Sequence, residues 1–165
     1  MDTKKAEYDR LVVVYASDLY RYAIWLCKDS TQAEDLVQET FLRAWKSLSK
    51  LKNRDAPKPW LFTILRNEFA RQYSRYRPEM SDIDPDILEL KDTGNDTSTD
   101  AFVLRRALDI LAEEYREPLL LQVLGGFSCE EIGAICGISK GAAMTRLFRA
   151  KKKLREMLDP TLVEK

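Results

Sequence analysis

Between Ser139 and Arg155 the chain reads "SKGAAMTRLFRAKKKLR". Lys140, Arg146, Arg149, Lys151, Lys152, Lys153 and Arg155 stand there with no acid among them. The whole chain balances 27 basic against 27 acidic side chains, so this excess is local. Clustered ammonium and guanidinium groups are suited to neutralising phosphates, and arginine can also read base edges in a major groove. A solvated helix end complementing the macrodipole would also carry "AKKKLR". What precedes the cluster favours the first chemistry. Ser128 and Glu131 have the spacing of a capping box, Gly137 suits a left-handed helix end, and Ser139 can cap the helix that follows. Two short helices joined by a glycine turn make a helix-turn-helix, whose second helix enters the major groove. Ile138, Ala142 and Leu147 are placed toward the core, and Lys140, Thr145, Arg146 and Arg149 outward.

Other chemistries are poorly served. With no histidine, the commonest general base and metal ligand are missing, and Cys/His zinc sites and His-dependent nucleophiles are excluded. Cys27, Cys129 and Cys136 form no CxxC pair and read as reduced, largely buried thiols. No glycine-rich phosphate loop is present. The chain reads as a non-enzyme that needs no cofactor and no metal.

The elements that position the basic cluster are all helical. With only 6 Gly and 6 Pro and no period-two pattern, an all-β fold is disfavoured. The periodicity predicts a helix over 7–26 with Leu11, Tyr15, Leu19, Tyr22 and Leu26 on one face. A second over 29–48 carries a Thr31/Glu34 capping box and an Ala33, Val37, Phe41, Trp45, Leu48 stripe. A third runs from an Asp55 cap to about Arg77 and buries Leu61, Ile64, Leu65 and Phe69. Four more follow at 101–111, 114–124, 129–136 and 140–157.

Charge divides the chain further. Residues 1–76 carry a net +4, residues 77–100 a net −6, and residues 101–165 a net +2. The middle segment has two prolines and the polar run "TGNDTSTD", and reads as a linker extended by self-repulsion. The expected architecture is all-α: two small helical domains, 1–76 and 101–165, joined by an acidic flexible linker at 77–100, the second domain a helix-turn-helix. No apolar run approaches the roughly 20 residues that span a bilayer. The N-terminus has no apolar stretch after its basic pair, so no membrane insertion is expected and the chain reads as cytoplasmic.

The stretch "EEIGAICGISKGAAMTRLFRAKKKLR" resembles the promoter-recognition helix-turn-helix of the extracytoplasmic-function (ECF) group of bacterial sigma factors. "AEDLVQETFLRAW" resembles that family's polymerase-docking helix, and "PWLFTILRNEFARQYSR" its helix for the edge of the melted promoter element. "ALDILAEEYREPLLLQVLGGFS" resembles the lead-in to the helix-turn-helix. Order and spacing agree across nearly the whole chain.

The resemblance implies a sigma factor that binds core RNA polymerase, through the β′ clamp and β, and directs it to promoter DNA. It implies an anti-sigma partner as well. Asp35, Gln38 and Glu39 match positions that dock on the β′ clamp coiled coil. The loop "SKLKNRDAPK" and Asn67 match a pocket for a base flipped from the non-template strand. A flipped base needs a polar edge reader with cations for its phosphates. Asn67 supplies the first; Arg54, Lys58, Arg66, Arg71 and Arg75 supply the second. In the second domain Lys140, Met144, Thr145, Arg146, Phe148 and Arg149 match the upstream-element surface.

The chain departs from the family in four places. Leu111-Ala112 stands where Leu-Pro is common, and Pro118 falls inside a predicted helix, where it threatens a kink or a delayed start. Gly133 replaces a usual alanine, and Met144 replaces a frequent basic residue. Two other readings compete: a stand-alone dimeric helix-turn-helix regulator, which leaves "EDLVQETF" unexplained, and a nucleic-acid enzyme, which lacks its histidine or carboxylate cluster.

Overall fold

A computed structural model describes residues 2–51, 56–76 and 99–159, with side chains described for 3–51, 56–72 and 99–159. All regular structure among these residues is helical. The chain divides into two compact units, Met1–Asp92 and Thr93–Lys165. The acidic linker, the Asp55 cap and Arg54 lie outside the described residues, as does the side chain of Arg75.

The first unit packs three helices on one another: α1 (Asp2–Cys27), α2 (Ser30–Ser47) and α3 (Pro57–Tyr76). A 3-10 turn at Leu48–Lys50 follows α2. Leu11, Leu19, Tyr22 and Ala23 of α1 meet Ala33, Leu36 and Ala44 of α2 and Leu61, Phe62 and Leu65 of α3 in the core. Tyr22 and Phe62 pack with ring centres 5.5 Å apart. α1 starts earlier than its apolar periodicity predicts, at Asp2 rather than residue 7.

Three expectations for this unit need correction. The cap of α2 is Asp29, whose carboxylate accepts from the amides of Thr31 and Gln32. An aspartate outbids the Thr31 box because its charge also meets the helix dipole. The buried stripe of α2 runs through Ala33, Leu36, Thr40 and Ala44 with Phe41, while Val37 is half-buried and Trp45 is exposed. Thr40 tolerates burial because its hydroxyl donates to the Leu36 carbonyl at 2.7 Å. Trp45 lies instead across Tyr8, ring centres 5.1 Å apart, under the ammonium of Lys4. On α3, Phe62 and Glu68 are buried, and Ile64 and Phe69 only half so.

The second unit holds α4 (Thr99–Ile110), α5 (Glu113–Gly125), α6 (Cys129–Cys136) and α7 (Lys140–Leu158). α7 packs against the other three. α5 begins at Glu113, well before Pro118, and runs helical through that residue, so the proline delays nothing. Ala112 stands at the N-cap of α5 with no side-chain bond, and the Arg116 guanidinium donates to the Asp109 and Leu111 carbonyls at 3.1 and 3.2 Å. That closes the end of α4, where free carbonyls would otherwise remain.

Candidate nucleic-acid interface

The geometry of the basic helix is set by the turn before it. Ser128 and Glu131 form both bonds of the capping box, at 2.9 and 3.2 Å, and start α6. Gly137 ends α6 at φ 72°. The Ser139 hydroxyl then accepts from the Ala142 amide at 3.0 Å and starts α7. Gly133 lets the turn close tightly, since a Cβ there would lie 2.7 Å from the Ile138 carbonyl oxygen. The usual alanine would not fit this backbone, which gives the departure at Gly133 a physical cause. The α6 side is also tied to α5, where the Cys136 thiol donates to Glu117 at 3.0 Å.

α7 seats Ala143, Leu147 and Ala150 in the core. Ala142, expected there, is half-buried; the buried face is turned by one residue. Lys140, Met144, Thr145, Phe148 and Arg149 are exposed and Arg146 is half-buried, all on the face away from Ala143 and Leu147 or at its margin. Among the described residues, none of Lys140, Arg146, Arg149, Lys151, Lys152 and Arg155 is paired with an acid. Lys153 lies 5.4 Å from the ring centre of Tyr115. The result is a capped helix with uncompensated charge and two large apolar side chains, Met144 and Phe148, toward solvent.

In the first unit, Asp35 and Gln38 are exposed on the side of α2 opposite Leu36 and Thr40, and Glu39 is half-exposed at the edge. Leu42, at 53% exposure, extends this surface and was not anticipated. An apolar residue at the seventh position after Asp35 was the available signal. On α3, Asn67 and Arg71 are exposed. Lys58 is held by Asp18 of α1 at 3.4 Å and sits 6.0 Å from the Phe62 ring centre. Arg71 lies 3.7 Å from Glu68. Trp60 is half-buried. The ion pairs at Lys58 and Glu68 were not visible in the sequence, because they join residues on different helices or bury a charge inside an apolar run.

None of the three cysteines is in a disulfide and all are half-buried rather than largely buried; burial, helped by the nearby Asp29 carboxylate, pushes the Cys27 thiol up to about 12. Such a thiol is neutral and unreactive near pH 7.

Comparison with known proteins fits this geometry. The family model Sigma-70 region 2 matches residues 11–79, and the model Sigma-70, region 4 matches residues 101–154. The ECF RNA polymerase sigma factor EcfG of Rhodopseudomonas palustris (strain TIE-1) is 38% identical over 149 residues, covering 89% of this chain and 82% of the relative. The sigma factor RpoE of Bartonella quintana, solved with the anti-sigma factor NepR, superposes with a TM-score of 0.72 at 34% identity, covering 91% of this chain and 94% of that one. CnrH, solved with the cytosolic domain of CnrY, gives 0.69 at 31% identity, covering 92% and 87%. No helix among the described residues is long and apolar enough to cross a membrane. With a region 2 helical unit, a region 4 helix-turn-helix and a relative this similar along most of both chains, the protein belongs to the ECF sigma factors of bacterial RNA polymerase, non-enzymatic proteins that direct transcription initiation.

Proposed function

We propose that the two units divide the work of initiation, in the cytoplasm, as follows. The first, over residues 1–76, docks on the β′ clamp through Asp35, Gln38 and Glu39, with further contact to β. It meets the melted promoter strand through Asn67, with Arg54, Lys58, Arg71 and Arg75 serving its phosphates. The acidic segment 77–100 tethers it to residues 101–165, which read the upstream element through Lys140, Met144, Thr145, Arg146, Phe148 and Arg149. One observation carries this reading: the unpaired cations of α7 lie on a helix locked at its start by Ser139 and Gly137. Charge free of internal partners is what phosphate binding requires.

An anti-sigma factor is part of the proposal. RpoE of B. quintana was solved with one. Each unit here exposes apolar surface that a protein partner would cover: Val13 and Val14 on α1, and Ile110 and Val123 in the second unit.

The test is a binding titration against core polymerase and a permanganate footprint on a duplex promoter. Gln38→Ala with Glu39→Lys weakens polymerase affinity at unchanged helicity. Asn67→Ala impairs strand opening more than closed-complex binding. Unchanged polymerase affinity removes the docking assignment, and equal losses in binding and opening remove the base-pocket assignment.

A further inference from the structure

The outward side of α7 is not uniformly basic. Lys140, Met144, Phe148 and Lys152 follow one another at four-residue spacing and are all exposed, so they form one ridge along the helix. The ridge is charged at both ends and apolar in the middle. Met144 is 53% exposed and Phe148 71%. Neither serves the core, which α7 meets with Ala143, Leu147 and Ala150.

Gly141 opens the space beside Met144. A Cβ there would meet only Ser139 Oγ, at 4.0 Å, and its φ is not left-handed. Neither packing nor backbone conformation asks for glycine at this place. What it leaves is bare backbone in the first turn of α7, where an outside surface can come close.

The ends of the ridge decide what can cover it. Among the described residues, Lys140, Arg149 and Lys152 have no acid partner. An apolar partner surface would bury these cations without counter-charge, which is costly. A DNA major groove offers both components. Phosphates line its rims, and its floor presents one apolar group, the 5-methyl of a pyrimidine. Twelve residues of rise put Lys140 and Lys152 about 18 Å apart along the axis, enough to span a groove roughly 12 Å wide.

We propose that Met144, backed by Phe148, reads the 5-methyl group of a pyrimidine in the upstream element. The proposal rests on the reading of α7 given above and names the base edge that this helix selects. The methyl packs against the Met144 side chain, whose flexibility lets it follow the groove floor, and Phe148 keeps water from the contact. Thymine carries this group in unmodified DNA, and 5-methylcytosine carries it in modified DNA. The contact uses no hydrogen bond, so the preference goes with the methyl and not with the base pair.

The experiment measures holoenzyme affinity for duplex promoter fragments by fluorescence anisotropy. The promoter is one that the holoenzyme opens, located by permanganate mapping. Each thymine of the upstream element is replaced in turn by deoxyuridine, which removes the methyl alone. Each cytosine is replaced by 5-methylcytosine, which adds it. At one or two positions the wild type loses about fourfold on exchange of thymine for deoxyuridine, the worth of one buried methyl. That ratio holds from low to high salt, since a methyl contact releases no counterion. Met144→Ala, a change at an exposed position, binds the thymine fragment more weakly and no longer distinguishes it from the deoxyuridine fragment. Phe148→Ala narrows the difference. Lys152→Ala weakens binding to both and keeps their ratio. A gain on 5-methylcytosine, abolished by Met144→Ala, with no loss on deoxyuridine supports the reader and assigns it to methylated DNA. No methyl effect at any position, while scrambling the element still weakens binding, overturns the methyl reader, leaves the upstream-element reading standing and gives the ridge to a protein partner. No effect of scrambling overturns that reading, and the methyl reader with it. A methyl effect that survives Met144→Ala with Phe148→Ala places the contact elsewhere and overturns the proposal.

Discussion

α3 and α7, the two helices proposed to meet nucleic acid, both carry arginine and lysine, but their cations are in opposite states. Those of α7 have no internal acid. Two of those on α3 are paired: Lys58 with Asp18, Arg71 with Glu68. The difference matches the two ligands. Duplex phosphates are present before anything else happens, so a standing charge is useful. A melted strand exists only after polymerase has arrived, so a cation that is compensated until then avoids non-specific binding. On the proposed reading, similar charge serves two purposes according to whether an acid sits beside it.

The largest effect expected from breaking this comparison is on stability. Arg43→Ala leaves Glu68 buried with only the distant Arg71. Removing one partner of a buried pair costs about 3–5 kcal/mol, and the partial exposure of Arg43 brings the expectation to about 2–3 kcal/mol. Replacing both members, Arg43→Gln with Glu68→Gln, costs less than the single change, since no buried charge remains. Urea unfolding followed by circular dichroism measures both. A single-variant loss below that of the double variant would mean that Glu68 is compensated by solvent, and the contrast between the helices would weaken.

Next in size is Gly133→Ala in the second unit. Alanine is the better helix former by about 1 kcal/mol. Here, however, its methyl would meet the Ile138 carbonyl oxygen at 2.7 Å, and that atom is backbone, with little room to give. Overpacking of this kind costs typically 1–3 kcal/mol, so the variant is less stable despite its better helix former. A stabilised variant would show that the turn opens readily, and that α7 is not held at a fixed angle.

The units also differ in how much of them the sequence disclosed. In the second, start and stop signals are local: Ser128 with Glu131, Gly137, and Ser139 each act within four residues, and each stands where the spacing placed it. In the first, the deciding contacts join separate helices. Arg43 with Glu68 and Tyr8 with Trp45 cannot be read from one helix's periodicity. The periodicity also misplaced faces by one residue, taking Val37 and Ala142 for core where Leu36 and Ala143 are buried. A 3.6-residue repeat fixes a face only to about one position when small residues such as Ala and Thr can occupy it. The candidate surfaces were legible as residue types; whether each cation was free or paired was not.

The freedom of the α7 cations gives the third prediction. Arg146→Ala costs roughly 1–3 kcal/mol of upstream-element binding and lowers the ratio of matched to scrambled affinity. Lys152→Ala, further along the helix, weakens both sequences equally and flattens the salt slope by about one. Salt titrations of holoenzyme on the two sequences separate the roles. An unchanged ratio for Arg146→Ala would make α7 a phosphate-binding face alone.

The smallest effect returns to turn geometry, where the units again differ. The second unit places glycine at both of its left-handed helix ends, Gly126 and Gly137. The first places Lys28 in the same conformation, at φ 58°, between α1 and α2. A side chain there costs about 1 kcal/mol against glycine. Part of that is returned by the Lys28 ammonium, which lies 4.8 Å from the Trp25 ring centre and is worth about 0.5 kcal/mol at a surface site. Lys28→Gly should therefore raise the stability of the first unit by about 0.5 kcal/mol, the difference between these terms. Lys28→Met separates them, because it keeps the strain and removes the cation, and it should lower stability by a similar small amount. The measurement is the urea midpoint at constant slope. If Lys28→Gly loses stability instead, the ammonium over Trp25 outweighs the backbone strain, and the first unit closes its turn with a side-chain contact where the second uses glycine alone.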